Sequence, residues 1–411
     1  MQARKAHSLI GQVYDPRNLA RAWERVKENK GAGGVDGVTV ARFEADRGRY
    51  LALLHQKLKD GSYRPRPVRR VEIDKPGSSA KRPLGIPTVM DRVCQQALVN
   101  VLEPVFEPTF RDESFGFRPG RSTHMAMRRI WRQLKAGDGW VVDADIADFF
   151  GTLSHSTLVN LVAAKVADGK VLGLVRQFLQ AGVLRDGRLE PTTTGVPQGG
   201  VVSPLLSNIY LHVFDEKMAE AGYALTRYAD DWVCVCSSRR EAERALASAR
   251  AVLEGELGLR VHPDKTRIVH VVQGFEFLGY KIKRGRGMKY KAGGPDLYAY
   301  PRDRSIERFK TRVRQITNRR NPKTLEGLLD ELNPVIRGWG NYYRRAHVRR
   351  LFHRLNGWIV RRIWSWRYKR WRNAGWKRLP RQRLYGELGL VNLLQLIPSM
   401  EGYYRQKGHS R

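Results

Sequence analysis

Two adjacent aspartates, Asp230 and Asp231, stand between two short runs of β-forming residues, and no other stretch constrains the fold as strongly. The flanking runs, 223–227 and 232–236, are rich in aromatic, aliphatic and cysteine side chains, a pattern typical of two strands joined by a tight turn. The sequence therefore predicts a β-hairpin with residues 228–231 at its tip. Aspartate also favours turns because it bonds its own backbone, so the pair alone fits an ordinary turn as well as a metal site.

A large excess of positive charge indicates a polyanionic partner. The 411 residues contain 75 Lys and Arg against 40 Asp and Glu, giving a formal charge of +35, and residues 301–411 alone hold 28 basic against 7 acidic residues. Such an imbalance opposes compaction by self-repulsion, so nucleic acid binding explains it best. The absence of an apolar run near ~20 residues argues against a membrane protein. The three cysteines have no zinc or disulfide spacing, which fits a reducing cytoplasm.

The hydrophobic spacing predicts the order of the helices and strands. Helices are expected at 16–30, 43–60, 91–103 (ending at Pro104), 156–166 and 240–257, and strands at 68–74, 140–146, 259–262 and 275–280. The glycine-rich run 31–37 predicts a flexible turn, because its spacing does not match a dinucleotide-binding loop. Asn-Pro pairs at 321–322 and 333–334 predict two helix starts.

The predicted strand 140–146 brings further carboxylates to its carboxyl end. Asp143 and Asp145 share one face of a strand by its period of two, and Asp148 is a third candidate. Carboxylates on an apolar strand are costly to bury unless a cation compensates them. The residues alone leave open which carboxylate is a ligand.

Three other patterns each allow two interpretations. Lys75 and Arg82 bracket a predicted hairpin and suit either a triphosphate clamp or a solvated surface. The loop 115–122 has paired aromatic and arginine residues that either contact nucleic acid or anchor the loop. Residues 332–386 lack acidic residues and hold six of the ten tryptophans, a composition that fits a stacking groove or a helical core. For this last stretch we expect Trp inward and Arg outward.

An ordered series of motifs resembles the bacterial group II intron reverse transcriptases over about residues 18–376. The motifs are Arg-Pro-Leu-Gly-Ile-Pro at 82–87, Phe-Gly-Phe-Arg-Pro-Gly at 115–120, Asp-Ile at 145–146, Val-Pro-Gln-Gly at 196–199, Tyr-Ala-Asp-Asp at 228–231, Phe-Leu-Gly-Tyr at 277–280, and the maturase-like run 333–344. The resemblance implies an α+β right-hand polymerase with fingers, a palm with an antiparallel sheet, a helical thumb and a basic C-terminal helical region.

The same resemblance implies a function and a domain order. We expect an RNA-directed DNA polymerase that also binds intron RNA to promote splicing and mobility, with RNA, a DNA primer or target and dNTP as partners, and no membrane. The expected domains are an N-terminal extension with a template-lid loop (1–60), fingers and palm (61–290), a maturase or thumb domain (291–375), and a basic segment interpreted as a DNA-binding remnant (376–411). The expected location is the bacterial cytoplasm, as a nucleoid-associated ribonucleoprotein.

The resemblance also assigns roles to individual residues. Asp145, Asp230, Asp231 and the carbonyl of Ile146 are the expected ligands of two Mg²⁺ ions, for which Mn²⁺ can substitute. The expected nucleotide-binding residues are Lys75, Arg82, Asp148, Phe149, Phe150, Pro197, Gln198 and Gly199. The expected primer- and RNA-binding residues are Phe277, Leu278, Gly279, Arg337, Trp339, Asn341, Tyr342, Tyr343 and Arg344.

Some positions depart from the family pattern. The family commonly has Lys and a small residue where this chain has Ala147 and Asp148, and Asp where it has Gly151. No cysteine-paired nuclease motif follows Gly386, so the compact members without an endonuclease module are the expected type. Two alternatives remain: an RNA-binding splicing factor in which polymerisation is dispensable, marked by loss of a catalytic aspartate, and a reverse transcriptase recruited to DNA repair or phage defence.

Overall fold

The computed structural model describes residues 5–74, 81–285, 297–369 and 375–398. The chain divides into two compact units, Met1–His270 and Val271–Arg411, each described here by itself. The domain boundaries expected at 60, 290 and 375 remain predictions. Across the described ranges, no helix has both the length and the apolar character needed to cross a membrane.

The first unit begins with helices α1 (Ile10–Tyr14), α2 (Pro16–Glu28), α3 (Val40–Ala45) and α4 (Arg47–Asp60). Helix α2 starts where expected, because the Asp15 carboxylate accepts a hydrogen bond from the Arg17 backbone N–H (2.7 Å). The single helix predicted over 43–60 is wrong: the chain leaves helical geometry at Asp46. The Phe43 ring stacks between Trp23 and Tyr50, with centroids 4.5 and 4.6 Å away, so tertiary packing accompanies the break.

The rest of the first unit alternates strands and helices. In chain order these are β1 (Val68–Asp74), β2 (Lys81–Ile86), α5 (Val89–Phe106), α6 (Thr123–Lys135), β3 (Trp140–Ala144), β4 (Ile146–Ala147), α7 (Phe149–Thr152), α8 (His155–Ala163), α9 (Gly169–Leu179), β5 (Val183–Arg185), β6 (Arg188–Glu190), α10 (Ser203–Glu220), β7 (Ala224–Tyr228), β8 (Asp231–Cys236), α11 (Arg239–Arg250), β9 (Arg260–Val261) and β10 (Arg267–His270). A π-helical turn, Ala251–Glu256, extends α11. The expected stop at Pro104 is wrong, because a proline so near the helix end removes one hydrogen bond while Phe106 is still buried.

The sheet that carries the Asp-Asp hairpin is antiparallel throughout. Its strand order is β10-β3-β8-β7, and its central residues Val141, Val142, Val233 and Cys234 are buried. A second sheet has the order β2-β1-β5-β6, in which only β1 and β5 are parallel, and β4 pairs with β9. Mainly antiparallel sheets with helices packed against them confirm the predicted α+β fold class.

The glycine-rich loop 31–37 is held in place by two arginines. Arg69 donates to the Gly33 carbonyl from Nε (3.2 Å) and Nη2 (2.9 Å), and Arg92 donates to the Ala32 carbonyl (2.7 Å). A Cβ at Gly34 would lie 2.6 Å from Thr88 Cα, so the backbone approaches α5 more closely than other residues allow. The predicted flexible turn is therefore a tethered loop.

The second unit combines a small sheet with helices. Its elements are β11 (Phe275–Phe277), β12 (Tyr280–Arg284), β13 (Leu297–Pro301), α12 (Asp303–Ile316), α13 (Leu325–Tyr343), α14 (Arg349–Tyr368) and α15 (Arg381–Tyr385). The single strand predicted at 275–280 is wrong, because Leu278 and Gly279 adopt positive φ angles (47° and 78°) and form the turn between β11 and β12. Two successive left-handed residues are typical of the tight turn that joins antiparallel strands.

Neither Asn-Pro pair starts a helix. Helix α13 begins after Thr324, whose side chain accepts from the Gly327 N–H (3.1 Å), and it continues through Pro334. The Asn333 side chain cannot cap a helix because it donates to the Gly389 carbonyl (3.0 Å) and accepts from the Val391 N–H (2.9 Å).

The tryptophans of this unit divide between core and surface. Trp364 and Trp366 are buried on α14, which agrees with the expected inward orientation, whereas Trp376 is 59% exposed. Trp371 lies outside the described residues.

Candidate active site

The hairpin predicted at 228–231 is present, and its turn consists of Ala229 and Asp230. Tyr228 pairs with Asp231 as the last register position of β7 and β8. Ala229 closes the turn with a positive φ of 58°, which costs free energy for a residue with a Cβ. The two carboxylates therefore sit at the end of a strand pair, and β8 runs through the interior of the sheet.

The register of β3 places Asp145 next to this turn. Ala144 at the end of β3 pairs with Trp232, the residue after Asp231. The chain then leaves the sheet, and the Asp145 carbonyl accepts a hydrogen bond from the His262 N–H (2.8 Å). Strand pairing thus brings three acidic residues, from two distant parts of the sequence, to one edge of the sheet.

Electrostatics link these three carboxyl groups. Partial burial, followed by the charge of Asp145, raises the pKa of Asp230. Asp231 is open to solvent on one side, yet the surrounding protein and then the charges of Asp230 and Asp145 raise its pKa to about 7. Lowered solvation and like charges both disfavour ionisation, so this edge of the sheet would be stabilised by added positive charge.

Two basic side chains from the β9–β10 segment supply part of that charge. The Lys265 ammonium donates to the Asp145 carboxylate, and Arg267 donates to Asp143 Oδ2 from Nε (2.9 Å) and Nη2 (2.8 Å). Asp143 and Asp145 thus each have a basic partner in this structure. Neither partner was predicted from the sequence, in which the only indication is a basic residue on each side of Thr266.

The donor chemistry fits a divalent cation. In the part of the chain that the structure describes, no three His, Cys, Asp or Glu side chains converge closely enough to hold a metal ion. Lys265 pairs with Asp145, while burial and neighbouring negative charge still raise the pKa of Asp230 and Asp231. Carboxylate oxygens are the preferred ligands of Mg²⁺, so this set has the chemistry of a metal site without the assembled geometry.

The predicted nucleotide-binding residues of the loop 196–199 lie against strand β2. The Gly85 N–H donates to the Gln198 carbonyl (2.7 Å), and a Cβ at Gly199 would lie 2.6 Å from the Gly85 carbonyl oxygen. Gly199 has a φ of 110°, which side chains rarely tolerate. Pro197 borders a small recess together with Asp91. Close backbone approach therefore requires glycine at position 199.

Three other predicted nucleotide-binding residues, Asp148, Phe149 and Phe150, lie at α7. Phe149 is buried and Phe150 half-buried, with ring centroids 5.2 Å apart in an edge-to-face arrangement. The Phe150 carbonyl accepts from the Val196 N–H (2.7 Å), which joins α7 to the loop before Gln198. Arg82 is exposed on β2. Lys75 lies outside the described residues.

The departures from the family pattern at Asp148 and Gly151 explain one another. Asp148 has a positive φ of 43°, and its carboxylate occupies the space beside residue 151. A Cβ at Gly151 would lie 2.4 Å from Asp148 Oδ2 and 2.8 Å from its Cγ. Gly151 therefore provides the room that the Asp148 side chain needs.

The predicted primer-binding turn, Leu278 and Gly279, is supported by two tyrosines within the second unit. Tyr342 donates to the Leu278 carbonyl (2.8 Å), and the Tyr343 hydroxyl contacts both the Gly279 carbonyl (3.1 Å) and Ser305 Oγ (2.8 Å). Because a hydroxyl has one proton and a carbonyl only accepts, Tyr343 donates to Gly279 and accepts from Ser305.

Several predicted RNA-binding side chains are part of the core of this unit. Phe277 and Tyr343 are buried, and Trp339 stacks on Phe309 at 4.5 Å. Tyr343 supports the turn through its hydroxyl. Arg337 is exposed, whereas Asn341 and Arg344 are half-buried.

Comparisons with known proteins agree with these features. The model of the family "Reverse transcriptase (RNA-dependent DNA polymerase)" matches residues 73–282, and that of the "Group II intron, maturase-specific domain" matches residues 306–385. Protein YkfC of Escherichia coli is 36% identical over 319 residues, which cover 68% of this chain and 83% of YkfC.

Two further relatives are longer than the matched region. Group II intron-encoded protein LtrA of Lactococcus lactis is 32% identical over 339 residues, covering 66% of this chain but 56% of LtrA. An uncharacterized 91 kDa protein in the cob intron of Schizosaccharomyces pombe is 29% identical over 406 residues, covering 80% of this chain and 50% of that protein. The chain thus spans about half the length of these two. By its matched domains and by the three acidic residues at one edge of its antiparallel sheet, the chain belongs to the reverse transcriptases of group II introns, a family of RNA-directed DNA polymerases that carry a maturase-specific domain.

Proposed function

We propose that this chain copies RNA into DNA by nucleotidyl transfer at the edge of the antiparallel sheet where Asp145, Asp230 and Asp231 meet. The observation that carries the proposal is the strand register, which brings Asp145 to the Asp230-Asp231 turn. Burial, and after it the charge of Asp145, raises the pKa of both turn carboxyls, which supports the same assignment. Reverse transcriptases use divalent metal ions. We assign two Mg²⁺ ions to these carboxylates and to the Ile146 carbonyl, and Mn²⁺ can replace them.

The roles of the side chains follow from their chemistry. Bound Mg²⁺ ions would activate the primer hydroxyl and neutralise charge on the leaving pyrophosphate. Lys75 and Arg82 bind the triphosphate by charge, and Gln198 contacts the nucleotide from the loop joined to β2. Phe150 packs under the deoxyribose and excludes a 2′-hydroxyl by contact. A bound metal ion would compete with the Lys265 ammonium for Asp145 Oδ2.

A role in splicing is supported by the maturase-specific match over residues 306–385. Members of the family bind intron RNA and use nucleic acid substrates. The excess positive charge of residues 301–411 suits a polyanion. We therefore assign intron RNA, an RNA template and a DNA primer or target as partners, in a ribonucleoprotein associated with the bacterial nucleoid.

Primer extension on an RNA template tests the polymerase role. Asp230→Asn removes the charge but keeps the shape, and it should abolish extension with Mg²⁺ or Mn²⁺. The matched control is Asp186→Asn, because Asp186 also lies in a hairpin turn but its side chain is 93% exposed. If wild-type protein extends no primer with either metal, the proposal is wrong.

Intron splicing separates the two roles. If splicing needs only RNA binding, Asp230→Asn should splice as wild type does while failing to extend a primer. Loss of splicing in this variant, with its fold intact by circular dichroism, would show that the two roles share the catalytic edge.

A further inference from the structure

Arg227, three residues before Asp230, is completely buried, and every one of its donors is used. Its Nε and Nη2 bind Asp215 Oδ1 (2.6 Å) and Oδ2 (2.5 Å), and Nη2 also donates to Ser114 Oγ (2.8 Å). Its Nη1 donates to Asn208 Oδ1 (3.2 Å) and to the Ala229 carbonyl (2.9 Å). A guanidinium has five N–H donors, so no donor is left without an acceptor.

The bond to Ala229 connects this buried ion pair to the catalytic hairpin. Ala229 is the residue with positive φ, and its carbonyl belongs to the peptide that leads directly into Asp230. A left-handed alanine is unfavourable by itself and persists only where its surroundings hold it. The Arg227 bond fixes the orientation of that peptide and hence the direction in which the Asp230 side chain leaves the backbone.

The loop before α6 supports the hairpin from a second side. Phe115 N–H donates to the Arg227 carbonyl (2.9 Å), and Arg227 N–H donates to the Glu113 carbonyl (2.9 Å). A Cβ at Gly116 would lie 2.2 Å from the Ala229 nitrogen, and the Gly116 carbonyl accepts from Asn208 Nδ2 (2.9 Å). The loop and the hairpin are therefore in direct backbone contact at the residue that precedes Asp230.

Fold stability alone does not explain this arrangement. A buried ion pair is costly to desolvate, and well-packed apolar residues of similar volume often stabilise a fold equally well. An apolar pair would fill the same space but would leave the Ala229 carbonyl without its donor. What the ion pair uniquely provides is a rigid donor at a fixed position behind the hairpin.

We propose that Arg227, held by Asp215, is a positioning residue that fixes the orientation of the Ala229–Asp230 peptide and thereby the direction of the Asp230 carboxylate. Gly116 is the second contact that fixes the same peptide. This inference rests on the proposed function, since it concerns how the same carboxylate is oriented. Arg227 touches no substrate, and its effect on the reaction passes through Asp230.

The first test replaces both charges together. Arg227→Met with Asp215→Leu keeps the core apolar and leaves no unpaired charge. Displacement of a reacting group by about 1 Å costs on the order of a hundredfold in rate, so we expect kcat for primer extension to fall about tenfold to a hundredfold. The KM for template–primer should remain unchanged, because no nucleic acid contact is lost. Mn²⁺ binding, followed by electron paramagnetic resonance, should weaken in the same variant.

The second test keeps the ion pair and disturbs its neighbour. Gly116→Ala puts a methyl group against the Ala229 nitrogen and should reproduce the loss of kcat and the weaker Mn²⁺ binding. Gly173→Ala is the matched control, because a Cβ there meets open space on helix α9 and kcat should not change. This variant decides the question if the double variant does not fold.

The outcomes separate the two proposals. The positioning role would be overturned if the wild type is active and the double variant has the same kcat and Mn²⁺ affinity as the wild type. If the double variant is unfolded, the same result in Gly116→Ala would overturn it. A wild type that neither binds Mn²⁺ nor extends a primer would instead overturn the proposed function.

Discussion

The exchange of Asp148 with Gly151 offers a direct test of the geometry beside the catalytic edge. Gly151→Asp introduces a Cβ that would lie 2.4 Å from Asp148 Oδ2, so the Asp148 side chain has to move. The reciprocal double variant, Asp148→Gly with Gly151→Asp, places glycine at the positive φ of residue 148 and one carboxylate at residue 151. It therefore restores the arrangement that resembles the family pattern.

The expected magnitudes follow from exposure and backbone strain. Asp148 is exposed, so its repulsion with a second carboxylate about 4 Å away is on the order of 1 kcal/mol in water-like surroundings. Displacement of the side chain adds to this, and Gly151→Asp should lower the free energy of unfolding by about 1–2 kcal/mol. A glycine at position 148 relieves about 1–2 kcal/mol of left-handed strain. It also makes the unfolded chain more flexible, which costs about 0.4–1 kcal/mol. We expect a coupling between the two positions of about 1–3 kcal/mol.

A double-mutant cycle measured by urea denaturation gives this coupling directly. Primer extension by the same four proteins shows whether the restored carboxylate also restores kcat. Energies that add within about 0.5 kcal/mol would refute the idea that the two side chains compete for one space. A control cycle pairs Gly151→Asp with Asp186→Asn, because Asp186 is exposed at the tip of another hairpin, and it should be additive.

Three further predictions concern other parts of the molecule. Tyr343→Phe removes the hydrogen bond to the Gly279 carbonyl and should lower the free energy of unfolding by about 1 kcal/mol in urea denaturation. An unchanged free energy of unfolding would contradict the assignment of Tyr343 as the donor. Arg227→Met alone leaves Asp215 charged and buried, so it should lower the free energy of unfolding by about 3–5 kcal/mol. Adding Asp215→Leu should recover most of this loss, and equal stabilities of the single and double variants would contradict the prediction. RNA affinity should fall steeply with salt, because the logarithm of the binding constant decreases with the logarithm of the salt concentration by about 0.7 to 0.9 for each phosphate contact. A titration in which the affinity does not depend on salt would exclude an extended basic groove in residues 301–411.

Local pattern was a good guide where one element decides its own conformation. The hairpin at 228–231 and the start of α2 after Asp15 follow from turn and capping chemistry acting within a few residues. The same rules failed where tertiary partners compete. Asn333 resembles a helix cap in sequence, but its side chain is bound to the backbone of residues 389 and 391.

The residues that surround the candidate site show the same limit. Arg227 was part of a strand pattern, and nothing within the strand reveals that its charge is buried. Its partners Asp215 and Asn208 lie on α10 and its partner Ser114 lies on the loop before α6, so the network exists only once these elements pack. Lys265 and Arg267 likewise meet Asp145 and Asp143 only through the pairing of β10 with β3.

The sequence by itself determined the α+β class, the family, the Asp-Asp turn and the basic composition that suits a nucleic acid partner, because residue type and short-range spacing carry that information. Only the tertiary structure decided that Lys265 pairs with Asp145, that Arg227 holds the Ala229 carbonyl and that Gly151 makes room for Asp148. These features depend on strand register, side-chain packing and steric exclusion. Such constraints act between groups that the fold brings together, so no local sequence pattern reveals them.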